Sequence, residues 1–143
     1  MAFNSKKQLS QFLAEDIGKG DITSNLLSKK KITVKIISRE NAIVAGASYA
    51  KEIFKLKGCS SKILKKDGSK IKPNQTIMII SGNAGNILTC ERTALNLLTR
   101  MSGIATQTNN LAKKIPKKTK LYATRKTAPG LRYFDKEAVE IGG

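Results

Sequence analysis

Histidine and tryptophan are absent from this 143-residue chain, which holds only 2 cysteines, 3 tyrosines and 4 phenylalanines. Each shortage excludes something. Without histidine the chain lacks both the commonest general acid–base near neutral pH and the commonest metal ligand. So few aromatic rings leave little surface for stacking bases. Cys59 and Cys90 supply neither a disulfide framework nor four zinc ligands, as expected of a reduced, intracellular protein. The longest apolar run, Ile77 to Ile80, is far short of the ~20 residues of a membrane span. The polar start MAFNSKKQLSQFLAEDIG has no apolar secretory core, so a soluble, cytoplasmic protein is expected. A complete α/β barrel takes ~250 residues and does not fit.

Acidic residues are also scarce: 10 Asp and Glu against 27 Lys and Arg, a formal charge of +17. The excess is spread evenly, with 8 basic and 4 acidic side chains in residues 1–50, 10 and 3 in 51–100, and 9 and 3 in 101–143. Such a balance attracts nucleic acid, anionic surfaces or phosphate-bearing substrates. No RGG segment, RNP-type aromatic motif or helix-turn-helix signature accompanies it, which argues against nucleic acid as the partner. Lys29–Lys31 and Lys113–Lys118 read as solvated surface at element ends.

Hydrophobic spacing places a first amphipathic helix over residues 6–17, with Leu9, Phe12, Leu13 and Ile17 on one face. Gly18–Asp21 breaks it, and Asp21 or Thr23–Ser24 can cap a short turn reaching Leu27. Ile32, Val34 and Ile36 alternate with polar residues as a strand, and Ala42–Gly46 reads as a second. Ser48 is placed to cap a helix carrying Tyr49, Ile53, Phe54 and Leu56. Lys62–Lys65, an Asp67-Gly68 turn and a Thr76–Ile80 strand follow. A long helix is predicted from Asn86 to Lys114, with an apolar stripe of Ile87, Leu88, Ala94, Leu95, Leu98 and Met101, and Pro116 stops it. Leu121–Thr124 reads as a buried strand, and Asp135–Ile141 as a further helix. The expected organisation is an α+β domain over residues 1–100, then the opening of a second domain over 101–143 that stops in mid-motif. One credible strand cannot close a sheet, so a truncated protein is expected.

Two clusters carry chemistry. Arg92, Asn96, Thr99 and Arg100 share a polar stripe of the long helix. The planar guanidinium of Arg92 suits a carboxylate or phosphate, or else it pairs with a local carboxylate or is simply solvated. The stronger cluster is Thr124-Arg125-Lys126-Thr127-Ala128-Pro129-Gly130, between the predicted strand and helix. Ligand groups gather at the carboxyl ends of strands in α/β sheets and barrels. Arg125 gives a fork, Lys126 a point charge and the threonines hydroxyl donors, or the segment is only a basic surface loop. Gly142-Gly143 is either a helix cap or the start of a loop approaching a phosphate. Residues 67–79 look somewhat like the hammerhead strands of biotinyl and lipoyl carriers, but no lysine sits in a modifiable hairpin, and they read as structural.

Three segments read together carry a resemblance: EDIGKGDITS from Glu15 to Ser24, ERTALNLLTRMSGIATQT from Glu91 to Thr108, and ATRKTAPGLRYFDKEAVEIGG from Ala123 to Gly143. In this order they closely resemble the quinolinate phosphoribosyltransferases, also called carboxylating nicotinate-nucleotide pyrophosphorylases. The resemblance covers essentially the whole chain. It implies an α+β N-terminal sandwich domain followed by the first elements of an incomplete α/β (TIM-like) barrel. It also implies conversion of quinolinate and phosphoribosyl pyrophosphate to nicotinate mononucleotide, pyrophosphate and carbon dioxide in NAD biosynthesis. By the same resemblance, Arg92 reaches into the neighbouring subunit's site in a homodimer or larger oligomer. Thr124 and Arg125 hold the quinolinate carboxylates, and Lys126 serves the dicarboxylate and phosphoribosyl pyrophosphate. The family's His-Arg pair, a further lysine and the acids that hold Mg²⁺ come after the glycine run, beyond Gly143. The chain is therefore expected to hold no catalytic residue and no metal ligand, and to be inactive alone. The alternatives are a molybdenum-transport-associated paralogue of the same fold, a non-catalytic phosphate- or RNA-binding module, or a pseudoenzyme subunit.

Overall fold

A computed structural model describes residues 4–18, 30–116 and 118–143. The turn expected between Asp21 and Leu27 lies outside the described residues, as do Lys29 and Lys117. Helix α1 (Ser5–Ile17) starts at Asn4, whose side-chain oxygen accepts a hydrogen bond from Lys7 N at 3.1 Å. The predicted stripe is the buried face: Leu9 and Leu13 are buried, and Phe12 and Ile17 are packed against the core.

Strands β1 (Lys31–Ile37), β3 (Ser60–Ile63) and β5 (Thr76–Asn83) form an antiparallel sheet in the order β1-β5-β3. Its register sets Val34 opposite Ile80 and Ser61 opposite the same residue on the other side. Alternation in β1 turns Ile32, Val34 and Ile36 inward and leaves Lys31, Thr33 and Lys35 exposed. The two short strands β2 (Ala42–Ile43) and β4 (Lys70–Ile71) pair with each other. The second predicted strand thus stops at Ile43, and Val44 and Ala45 continue as buried irregular chain.

Helix α2 (Ala47–Leu56) begins two residues earlier than a Ser48 cap predicts, and its cap comes from elsewhere. Gly46 enters with φ +92°, and the Asp67 carboxylate accepts from Ala47 N at 2.8 Å and from the Ser48 hydroxyl at 3.0 Å. The Asp67-Gly68 turn therefore closes no hairpin between adjacent partners; it carries a remote helix cap, a role that spacing along the chain does not reveal.

Helix α3 (Ala84–Ala112) spans 29 residues, with the Asn83 side chain accepting from Gly85 N and Asn86 N. Ile87, Ala94, Leu98 and Met101 are buried as predicted, together with Cys90, Leu97 and Ala105, but Leu88 is exposed and Leu95 only half-buried. Leu88 lies one residue past Ile87 and so rotates ~100° out of the stripe. Helix α4 (Arg132–Gly142) packs along α3. Phe134, fully buried, meets Tyr49 edge-on at 5.0 Å between ring centroids and Phe12 at 5.8 Å, joining α4 to α1 and α2. Gly142 is the last helical residue, and not yet loop. A Cβ there would stand 2.7 Å from Thr108 Cβ, and Asn109 Nδ2 donates to its carbonyl at 3.1 Å.

The buried strand predicted at Leu121–Thr124 is not formed. These residues are irregular and exposed, with Tyr122 at 75%. A strand needs a hydrogen-bonding neighbour, and no described strand lies beside this one to form a ladder.

Candidate functional site

The length of α3 separates its tasks. Its apolar side fills the core, while Arg92 stands on the opposite side with 67% of its side chain exposed. Arg92 Nε lies 3.4 Å from Asp16 Oδ2 on α1. That oxygen is shielded from solvent and makes no hydrogen bond among the described residues. A single exposed contact of this kind is worth about 0–1 kcal/mol. Asp16 thus orients Arg92 at little cost to any ligand offering two oxygens to its fork. Beside the pair lies a cleft of about 620 Å³, lined by Phe12, Glu15, Asp16, Thr93, Asn96, Leu97, Arg100 and Leu131. The Thr93 hydroxyl there is buried with no hydrogen-bond partner among the described residues.

Thr124, Arg125 and Lys126 are all exposed. They are held by local bonds: Lys126 N donates to Thr124 Oγ1 at 3.1 Å, and Thr127 N to Arg125 O at 3.0 Å. Both cationic side chains are therefore presented to solvent from a tightened turn. No hydrogen bond or ion pair among the described residues links Arg92 to any of the three.

The turn is tied to the helices by a group that spacing alone does not pick out. Asp135, in the first turn of α4 and 6% exposed, accepts from Arg100 Nε at 2.8 Å and Arg100 Nη2 at 2.9 Å. The same carboxylate receives Ala128 N at 3.4 Å. This hydrogen bonding raises the Arg100 guanidinium further above its ordinary value, against the opposing effect of burial. Gln8 Nε2 on α1 adds a bond to Gly130 O. The sequence signals were present but mute: Arg100 lay on the polar stripe and Asp135 in a first helical turn, 35 residues apart.

Tyr49 OH donates to Glu137 Oε2 across α2 and α4. Burial, then the bonded carboxylate, drives the phenol far above its usual range. Cys59 and Cys90 are unbridged and buried. Desolvation pushes Cys90 up to about 12, and it raises Cys59 also.

The Mg²⁺ that the resemblance implies finds no place among these side chains. Among the described residues no three His, Cys, Asp or Glu groups come together as metal ligands. Asp16 and Asp135 are each turned toward an arginine. The residues present do not fit the ion, and no step is derived through it. No helix among the described residues is long and apolar enough to cross a membrane.

Known proteins share both the sequence and the fold. The N-terminal domain of quinolinate phosphoribosyl transferase matches residues 21–102, and its C-terminal domain matches residues 104–143. The probable carboxylating nicotinate-nucleotide pyrophosphorylase of Archaeoglobus fulgidus is 42% identical over 87% of the chain and 48% of its own length. That of Bacillus subtilis is 39% identical over 96% and 49%. Among solved structures, nicotinate-nucleotide pyrophosphorylase from Francisella tularensis superposes with a TM-score of 0.91 at 41% identity, covering 97% of this chain and 51% of that one. The Ehrlichia chaffeensis enzyme gives 0.93 at 37%, covering 100% and 54%. The fold is an α+β sandwich followed by the first elements of an α/β barrel domain. The chain belongs to the quinolinate phosphoribosyltransferase family. It spans about half the length of the curated relatives it matches.

Proposed function

We propose that this chain supplies the quinolinate-binding half of a phosphoribosyl transfer. In that reaction quinolinate and phosphoribosyl pyrophosphate give nicotinate mononucleotide, pyrophosphate and carbon dioxide. A bond forms between ring nitrogen and ribose, the ribose–pyrophosphate bond breaks, and one carboxylate leaves as carbon dioxide, the bonding pair it leaves on the ring carbon taking up a proton from solvent. The reading rests chiefly on family membership combined with two arginines that the fold leaves available, Arg92 on α3 and Arg125 in the turn before α4. Quinolinate carries two carboxylates, and each can take an arginine fork. Lys126, a compact charge beside them, suits the phosphates of the second substrate, and the Thr124 hydroxyl suits a carboxylate oxygen.

Within one chain no hydrogen bond or ion pair among the described residues links Arg92 to the turn, which supports a site shared between two copies, with Arg92 of one meeting the turn of the other. In this reading the chain works as a homodimer or larger oligomer in the cytoplasm. Residues 1–100 form the sandwich and 101–143 open the barrel. Mg²⁺ is held by groups other than the described residues, and the 143-residue polypeptide binds quinolinate without turning it over.

Calorimetric titration of quinolinate into the chain tests this. Binding that falls at least tenfold in Arg125→Ala is expected. Binding unchanged by that substitution, or absent from the unsubstituted chain, overturns the assignment. Salt-sensitive retention on RNA that is indifferent to Arg125 would favour the nucleic-acid module instead.

A further inference from the structure

A cationic concavity lies between the β2–β4 pair and the C-terminal half of α3. It measures about 410 Å³, within the ~300–1,000 Å³ of small-molecule sites. Four lysines line it: Lys65, Lys70 and Lys72 from the strand side, and Lys113 at the end of α3. Among the described residues no carboxylate is in its wall. None of the four ammonium groups forms an ion pair among the described residues, whose two salt bridges involve only arginines. The remaining polar lining is amide and hydroxyl, including Asn41 and Asn110, over a floor that includes the buried Ile43 and Ile71. Of the acids closest in sequence to the lining residues, Asp67 caps α2 and Glu40 lies outside this wall.

Several like charges around one concavity repel one another, and an anion bound among them relieves that repulsion. Lysine ammonium groups are strongly hydrated point charges on flexible stems, suited to phosphate oxygens rather than to a planar carboxylate fork. Side-chain amides can donate to the same oxygens. The cavity is large enough for two or three linked phosphates.

We propose that this cavity is a binding site for an oligophosphate anion, held by Lys65, Lys70, Lys72 and Lys113. The site shares no residue with Arg92, Thr124, Arg125 or Lys126, and it stands whether or not quinolinate is the substrate.

The test is titration of inorganic tripolyphosphate, and in parallel ATP, into the chain at 150 mM salt. Three double variants that each remove two positive charges are compared: Lys70→Ala/Lys72→Ala in the cavity, Lys35→Ala/Lys62→Ala on the exposed sheet face, and Lys51→Ala/Lys55→Ala on the exposed face of α2. A thermal melt of each reports folding. The proposal predicts at least a tenfold loss of tripolyphosphate affinity in the cavity variant alone, and changes under twofold in the other two. Should the cavity variant fail to fold, amide shifts of Asn41, Asn110 and Lys113 on adding tripolyphosphate to the unsubstituted chain provide the readout. Equal losses in all three variants, loss in either control variant alone, or no shifts at those amides would overturn it. ATP binding more tightly than tripolyphosphate by tenfold identifies a nucleotide as the ligand; equal affinity identifies the bare oligophosphate.

Discussion

Arg100 on α3 holds the Asp135 carboxylate on α4 by two N–H···O bonds of 2.8 and 2.9 Å, and Asp135 also receives the Ala128 amide. One carboxylate therefore joins the long helix, the last helix and the turn that carries Arg125 and Lys126. The arginine is partly exposed and the aspartate is not. Breaking the pair should cost more than a surface bridge at about 0–1 kcal/mol and less than a fully buried one at about 3–5 kcal/mol. Arg100→Ala is expected to lower stability by about 1–3 kcal/mol. Urea denaturation checks the value, and proteolysis within residues 121–130 should quicken at the same time. An unchanged midpoint would show that the pair does not hold the turn.

Asp67 stands 20 residues from the helix it caps, so Asp67→Ala should destabilise α2 as a lost N-cap does, by about 0.5–2 kcal/mol. Asp67→Asn, which keeps an accepting oxygen, should recover most of that loss. Thermal melts of the two variants distinguish the cap from a general charge effect.

At Gly46 the backbone has φ +92°, and an added Cβ would sit 2.9 Å from Met101 Sδ. Gly46→Ala combines strain with overpacking and should cost about 1–3 kcal/mol. The paired change Gly46→Ala with Met101→Ala removes the clash but leaves the strained φ. In a double-mutant cycle the two losses should not be additive.

The Cys90 thiol, pushed up to about 12 by burial from an ordinary 9.0, gives a defined pH dependence. Well below pH 9 folded and unfolded chains both keep the proton, and this group contributes no slope. As pH rises from 9 toward 12 the unfolded chain releases the proton while the folded chain keeps it, so stability falls. Cys59 and Tyr49 are shifted in the same direction and add to the fall. Urea midpoints measured from pH 7.5 to 10.5 should decline above pH 9, less steeply in Cys90→Ala. The same burial predicts that a thiol reagent at pH 7.5 labels Cys90 at the rate of unfolding.

The helices and strands β1 and β5 were legible because their signals are local, while their pairing with β3 into one sheet was not. The apolar periodicities of α1, β1 and α3 depend only on which side faces the core, and they survive in the folded chain. What was not legible depends on partners distant in sequence. Asp67 caps a helix 20 residues upstream, Asp135 meets Arg100 across 35 residues, and Glu137 meets Tyr49 across 88. The misread strand at Leu121–Thr124 shows the converse. Its composition suits a strand, but a strand is a relation between two segments, and the second is missing from the described residues. Arg92 was legible as a residue type and Asp16 as part of an acidic motif, while their juxtaposition was not.

The central claim, a quinolinate site built from Arg92 of one subunit and Arg125 of its neighbour, is tested most directly by mixing. Arg92→Ala and Arg125→Ala chains are denatured together at equal concentration, refolded and titrated with quinolinate. Each variant alone should have lost its binding. In randomly assorted dimers half the molecules carry one chain of each kind, and each of these regains one intact site of two, so about a quarter of the original binding capacity should return. Capacity that stays at the level of the separate variants would contradict the shared site.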